Sequence, residues 1–185
     1  MMLVAVAAVG AMGQARAAAG VKAADESRFP GISASQMTTL RAAKRVTPVP
    51  LPTWLPEGFA VERIESKLGA KVPVWERALV IVYSRKIAGG KLQRFAIEAG
   101  FEGIGDLPYE ETSSVRSSVG TIYIAYQPKD EDGKPIRDFS MTHWFEVGKT
   151  PFHYDGMRGH EEGDKTQVMI PLADTKKILA SLQRF

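Results

Sequence analysis

Three histidines and several carboxylates lie in the last third of the 185-residue chain, where they could form a metal or acid–base site. These residues are His143, His153, Asp155, His160, Glu161, Glu162 and Asp164. Two metal-binding histidines on one helix face need the spacing H-E-x-x-H, whereas the run from His160 ends in Asp164 after a glycine. The pattern therefore favours a polar, glycine-broken loop, and the sequence predicts no metal and no other cofactor.

Other signatures of catalysis or ion binding are incomplete. The segment Gly31–Ser35 resembles a nucleophile elbow but lacks its closing glycine. Gly103-Ile104-Gly105 stops after two glycines, which is too few for a dinucleotide-binding loop. The Asp130–Gly133 segment matches a fragment of a calcium loop and is better explained as a solvated hairpin tip. None of these motifs predicts a site.

Composition narrows the function classes further. The chain has no cysteine, which excludes a catalytic thiol, a disulfide framework and a thiolate zinc site. Its 24 Lys and Arg and 21 Asp and Glu are interspersed, so the net charge of +3 forms no basic stripe for nucleic acid. We therefore expect neither an enzyme nor a nucleic-acid-binding protein. A hydrolase that uses His153, Asp155 and His160 stays open as an alternative.

The first residues have the pattern of an export signal. Met1–Gly13 is a run of apolar and small residues, and Ala15-Arg16-Ala17 supplies the small residues that signal peptidase requires. The run is too short to span a bilayer, which needs about 20 residues. We predict a signal peptide over residues 1–19, and hence a periplasmic or secreted protein. The alternative is that these residues form a buried N-terminal helix. Residues 20–47 are then an N-terminal segment with a helix, and residues 48–185 form the main domain.

Two helices and an extended strap are predicted around that domain. Ser33 or Ser35 can cap a helix that ends near Arg45. The four prolines between Pro48 and Pro56 forbid a helix and favour a polyproline-like strap. A second amphipathic helix is expected from Leu172 or Ala173 to Arg184.

Alternating apolar residues between these helices predict strands joined by hairpins. The strand segments are 59–64, 79–83, 92–98, 114–118, 121–126, 141–147, 152–154 and 168–170. The resulting fold class is α+β. We expect an antiparallel, half-barrel-like sheet of about six to eight strands, with an N-terminal and a C-terminal helix packed on it.

Aromatic side chains in these strands mark a candidate ligand site. Tyr123 and Trp144 should point away from the C-terminal helix, toward the second face of the sheet. That face must either be covered or bind a ligand. The sequence favours cover by the N-terminal helix and the Pro48–Pro56 strap. The alternative is an apolar groove for an acyl chain, with four ligand-binding residues: Tyr83, Tyr123, Trp144 and Trp54.

The run Pro52-Thr53-Trp54-Leu55-Pro56-Glu57-Gly58-Phe59 resembles the P-x-x-L-P-x-G-[FY] opening of an extracytoplasmic domain of bacterial anti-sigma regulators and lipoprotein-sorting-like proteins. The similarity extends over residues 49–185, through the Trp144 strand, the turn into Phe152-His153-Tyr154 and the terminal helix. Such domains are similar to the lipoprotein-carrier (LolA/RseB-like) fold, a half-barrel around helices that can enclose a lipid cavity. The resemblance implies no catalytic residues.

We therefore expect an exported, non-enzymatic binding protein whose partner is an envelope lipid, a lipoprotein or a membrane regulatory protein. A structural or protein-interaction module is the alternative. It would bind a partner through the Gly100–Ser118 loop or through a sheet edge.

Overall fold

A computed structural model describes residues 26–69, 71–101, 111–126, 140–156 and 166–185. The predicted leader, the Gly103–Gly105 and Asp130–Gly133 segments, and His160 with its acidic neighbours lie outside the described residues. The predicted α+β class is confirmed: two helices pack on an open, mostly antiparallel sheet. Among the described residues, no helix is long and apolar enough to cross a membrane.

The first helix, α1 (Ala34–Lys44), begins where the sequence predicts. Ser33 is its N-cap, and its hydroxyl accepts a hydrogen bond from the Gln36 backbone N–H at 3.3 Å. The Gln36 side chain accepts one from the Ser33 N–H at 2.9 Å, which completes a capping box. Met37, Leu40 and Ala43 then fall on the buried side of the helix.

A short strand, β1 (Pro50–Pro52), comes first in the chain and pairs outside the main sheet. Eight strands of the described chain form the main sheet: β2 (Ala60–Lys67), β3 (Ala78–Lys86), β4 (Leu92–Ala99), β5 (Glu111–Ser117), β6 (Gly120–Tyr126), β7 (Met141–Thr142), β8 (Phe145–Val147) and β9 (Thr150–Asp155). Every pairing within this sheet is antiparallel. Their order across the sheet is β2-β3-β4-β9-β7-β6-β5, with β8 paired to β9.

The connection from β3 to β4 is the predicted tight hairpin, in which Gly89 and Gly90 have φ of 75° and 73°. By contrast, residues 168–170 do not form the predicted strand. An isolated bridge joins Gln167 to Leu92 there. Its backbone bonds to β4 both involve Leu92, whose N–H donates to Thr166 C=O at 2.8 Å and whose C=O accepts from Val168 N–H at 2.9 Å. Met169 C=O accepts instead from the Gln93 side chain at 2.9 Å, so no ladder continues along residues 168–170.

The sequence-based prediction that the C-terminal helix continues to Arg184 is wrong. Helix α2 (Leu172–Ala180) ends at Ser181, and the chain then forms β10 (Leu182–Arg184). This strand pairs antiparallel with β1 (Pro50–Pro52), so the proline-rich strap is partly a strand. The helix stops because the strap offers the last residues a backbone partner, and Ser181 C=O accepts from Thr53 N–H at 3.2 Å.

Both helices and the strap lie on the same face of the sheet, which we call the inner face. Alternate strand residues point into it, and their side chains form one core with α1, β1 and α2. The sequence-based interpretation that α1 and the strap cover the second face is therefore wrong. The sheet residues of this core include Val61, Leu79, Ile81, Tyr83, Phe95, Ile97, Ile122, Ile124, Phe152 and Tyr154.

Candidate functional site

The other side of the sheet, which we call the outer face, carries the alternate set of strand residues. Val80, Val82 and Ala96 form a small buried apolar cluster that is separate from the main core. In the described part of the chain, neither helix nor the strap packs on this cluster. The outer face is defined by these three residues together with Glu62, Arg94, Glu98, Gly100, Tyr123, Trp144 and His153.

A histidine and a glutamate occupy the centre of the outer face. Glu98 on β4 and His153 on β9 are direct cross-strand partners, and 3.5 Å separates Glu98 Oε2 from His153 Nε2. Their side chains are 16% and 14% exposed, so neighbouring groups shield most of this pair from water. The contact becomes an ion pair when the imidazole is protonated.

Trp144 covers the histidine of this pair. The Trp144 and His153 rings have centroids 4.4 Å apart and an interplanar angle of 33°. Gly100, just beyond the end of β4, lies under the same indole, because a Cβ added there would be 2.4 Å from Trp144 Cη2. Position 100 therefore requires a glycine, because the Trp144 ring approaches its backbone closely. The same ring contacts His153 on β9.

An ion-pair network borders the centre of the outer face. The Arg94 guanidinium donates to both Glu62 carboxylate oxygens, at 2.9 and 3.1 Å, and Arg63 approaches the same carboxylate at 2.9 Å. Burial pushes the pKa of Glu62 upward, but hydrogen bonds from Arg94 and Ser84 and the two positive charges outweigh it. The pKa of Glu62 is consequently held below its ordinary value.

Tyr123 is the exposed aromatic residue of the outer face, with 56% of its surface accessible. It lies on β6 between the buried Ile122 and Ile124, as the alternation predicts. The His143 N–H donates to the Tyr123 carbonyl at 2.9 Å, so Trp144 follows directly after a residue bonded to this strand. Tyr123 and Trp144 are therefore presented from neighbouring segments on one side of the sheet.

The structure does not bring the four predicted ligand-binding residues together. Tyr83 lies on the inner face, where it is fully buried and stacked on Phe95 at 4.7 Å between ring centroids. Burial raises the pKa of Tyr83, and its hydroxyl has no hydrogen-bond partner among the described residues. Trp54 belongs to the strap: its backbone N–H donates to Ser181 Oγ at 3.1 Å, and Lys177 lies over its ring. Tyr123 and Trp144 alone share the outer face.

The catalytic and metal alternatives find little support in this geometry. Within the described ranges, no group of three or more His, Asp and Glu residues is close enough to hold a metal ion. The His153 ring contacts Glu98 and Trp144, neither of which is an alcohol or thiol nucleophile. His160, the third member of the proposed hydrolase set, lies outside the described residues.

Sequence reasoning missed Glu98, Gly100, Arg94 and Glu62 as parts of this face. In the sequence, Glu98 and Arg94 lie on the polar side of an alternating strand. That pattern predicts exposure to solvent but does not predict the ion-pair partners, His153 and Glu62. The close approach at Gly100 depends on how β4 and β9 register, and a single sequence does not fix that register. The site is therefore recognised from the pairing of β4 with β9 in the structure, because its residues form no sequence motif.

Comparison with known proteins adds no relative. No family model, no curated protein and no solved structure matches this chain. The resemblance of residues 52–59 to the anti-sigma domain therefore stays a prediction.

Proposed function

We propose that this chain is an exported, non-enzymatic binding protein of the bacterial envelope, and that its outer face binds a polypeptide. The observation that carries the proposal is the exposed Tyr123 on the same face of the sheet as the row formed by Glu98, His153 and Trp144. Within this group Tyr123 is the exposed side chain, at 56%, whereas Glu98 and His153 are 16% and 14% exposed, so Tyr123 is the residue most available to a partner.

The chemistry of the outer face favours a polypeptide over an acyl chain. Protein interfaces are rich in Tyr, Trp and Arg, and they mix such anchors with paired charges. An acyl chain needs a continuous apolar lining. Here the apolar cluster of Val80, Val82 and Ala96 is small and bordered by the Glu62–Arg94 and Glu98–His153 pairs.

The inner face also disfavours a resident lipid. In the lipoprotein-carrier fold that the strap sequence resembles, a lipid would lie between the sheet and the helices. In this chain the rings of Tyr83, Phe95 and Tyr154 are stacked in that space and fully buried. An acyl chain would have to displace them from close packing, at a cost typical of a disrupted core. A lipoprotein or a membrane regulatory protein remains a suitable class of polypeptide partner.

Site-specific photo-crosslinking in the native envelope tests the proposal. A photoreactive phenylalanine analogue at Tyr123 should give one dominant adduct with a second protein, identified by mass spectrometry. The matched control is the same analogue at Ala180, an exposed position on α2. Adducts from position 180 alone would contradict the proposed surface. A reproducible lipid adduct in native mass spectrometry of the purified protein, retained until organic extraction, would instead establish a lipid carrier.

A further inference from the structure

The connection between β2 and β3 carries a second exposed apolar feature, distant in sequence from the outer-face aromatics. Val74 and Trp75 are adjacent and are 52% and 65% exposed, which makes Trp75 the most exposed large hydrophobic residue in the described part of the chain. Exposed single apolar side chains are common, whereas Val74 and Trp75 are adjacent and form one small apolar patch.

Local hydrogen bonds hold this pair outward. Val74–Glu76 forms a short 3-10 turn, with Glu76 N–H bonded to Pro73 C=O at 3.0 Å and Arg77 N–H to Val74 C=O at 3.1 Å. The Arg77 side chain also donates from Nε to the Val72 carbonyl at 3.1 Å. These bonds give the exposed Val74 and Trp75 a defined backbone conformation, and we call the Val74–Glu76 turn the protrusion.

The residues that flank the protrusion in the sequence are mainly basic. Lys67, Lys71 and Arg77 contribute three cations and Glu76 one anion, so the segment 67–77 carries a net charge of three minus one, or +2. Lys67 and Glu76 form an ion pair at 2.6 Å near the base of the turn. A tryptophan at the end of a basic hairpin is the combination that favours the interface of an anionic bilayer.

The small size of the protrusion favours a bilayer over a protein as its partner. A stable protein interface buries about 800 Å² on each side. One tryptophan and one valine supply much less, since an aromatic residue buries roughly 150–250 Å². A bilayer interface needs no matching surface, and a few apolar side chains with nearby cations give reversible attachment.

We propose that Val74 and Trp75, flanked by Lys67, Lys71 and Arg77, form a contact site for an anionic lipid bilayer. The site is independent of the outer face and of the polypeptide partner proposed above. It would hold the domain at a membrane surface through the tip of one hairpin.

Vesicle partitioning of the exported protein, purified from the periplasm, tests this inference. The probe is a vesicle of phosphatidylglycerol and phosphatidylcholine in equal amounts, with sedimentation as the readout. We expect Trp75→Ala to weaken partitioning by at least about tenfold, and Trp54→Ala, at a tryptophan that is 38% exposed and lies under Lys177 of α2, to leave it unchanged. Vesicles of phosphatidylcholine alone should bind the unmodified protein more weakly, because the cations then have no anionic partner.

Fluorescence quenching by brominated lipid gives a readout that does not depend on affinity. Trp75→Phe should retain partitioning but lose most of the quenching, because the remaining two tryptophans stay away from the lipid. The inference would be overturned by unmodified protein that does not bind the anionic vesicles, or by Trp75→Ala protein that binds them as tightly. Tyr123→Ala must leave vesicle binding unchanged, which separates this site from the proposed polypeptide site.

Discussion

Glu98 and His153 face each other across β4 and β9 on the outer face of the sheet, with 3.5 Å between Glu98 Oε2 and His153 Nε2. Trp144 lies over the histidine and against Gly100, so the pair is bounded by an indole on one side. The two strands are neighbours inside the sheet, not at its edge. This position fixes the relative placement of the three side chains, as a preorganised binding surface requires.

Gly100 should be essential for the position of Trp144. In Gly100→Ala the new methyl group would lie 2.4 Å from Trp144 Cη2, so the indole must move. We expect a loss of about 1–3 kcal/mol of stability, typical of overpacking, and a shift of the Trp144 fluorescence. Denaturant unfolding and emission spectra measure both effects.

The control for this substitution is Gly69→Ala, where the added Cβ would lie 3.6 Å from Val72 Cγ2, an ordinary contact. It should leave the stability within about 0.5 kcal/mol. Equal losses in the two variants would mean that Trp144 does not rest on Gly100.

Two buried tyrosines should respond oppositely to removal of their hydroxyl groups. The Tyr83 hydroxyl is buried without a hydrogen-bond partner in the described structure, whereas the Tyr154 hydroxyl lies 3.3 Å from Thr175 Oγ1. Tyr83→Phe should raise the free energy of unfolding by about 1 kcal/mol, because it removes an unsatisfied polar group. Tyr154→Phe should lower it by about 1 kcal/mol. Urea denaturation of the two variants measures both changes. A clear loss of stability in Tyr83→Phe would show that the Tyr83 hydroxyl is hydrogen-bonded.

The contribution of Glu62 should depend on pH. Its pKa is lower in the folded protein than its ordinary value of 4.5, so its stabilising effect is present above that value and is lost as the pH falls through the folded pKa. Glu62→Gln should therefore lower stability at neutral pH by no more than about 1 kcal/mol, since the pair is partly solvated.

This difference from the unmodified protein should shrink below about pH 4. Thermal unfolding across that range measures it, with Glu146→Gln, at an exposed position on β8, as the control. A difference that stayed constant with pH would be inconsistent with the Glu62–Arg94 pair.

The C-terminal strand should contribute strongly to stability. Leu182 is fully buried and pairs with Pro52 of the strap. Leu182→Ala should cost about 2–5 kcal/mol, while Gln183→Ala on the other side of the strand should cost less than about 0.5 kcal/mol. Chemical denaturation distinguishes the two, and similar small effects would place the C-terminal residues outside the core.

The fold class and most strands were predictable from the sequence because they depend on local periodicity. Ser33, one of the two predicted N-cap candidates, caps α1, and Ile122 and Ile124 point inward as their alternation requires. The end of α2 was not predictable, since Leu182–Arg184 has an acceptable helical pattern and becomes a strand by pairing with the distant strap.

The candidate site was predictable only in part. Tyr123 and Trp144 were placed opposite the C-terminal helix by alternation alone, and the structure has them there. Tyr83 was grouped with them because its strand is apolar on both sides, so periodicity could not assign its face. Which elements cover a given face is a tertiary property, and this is why the prediction for α1 and the strap was wrong.

The central claim is that the outer face binds a polypeptide, and the affinity of the purified protein for its crosslinked partner tests it most directly. Calorimetric titration should give a Kd that rises by at least about tenfold in Tyr123→Ala, because exposed aromatic anchors dominate interface energy. Ala180→Ser, on the exposed side of α2, should leave the Kd unchanged. Unaltered affinity in Tyr123→Ala, with native folding retained, would contradict the account.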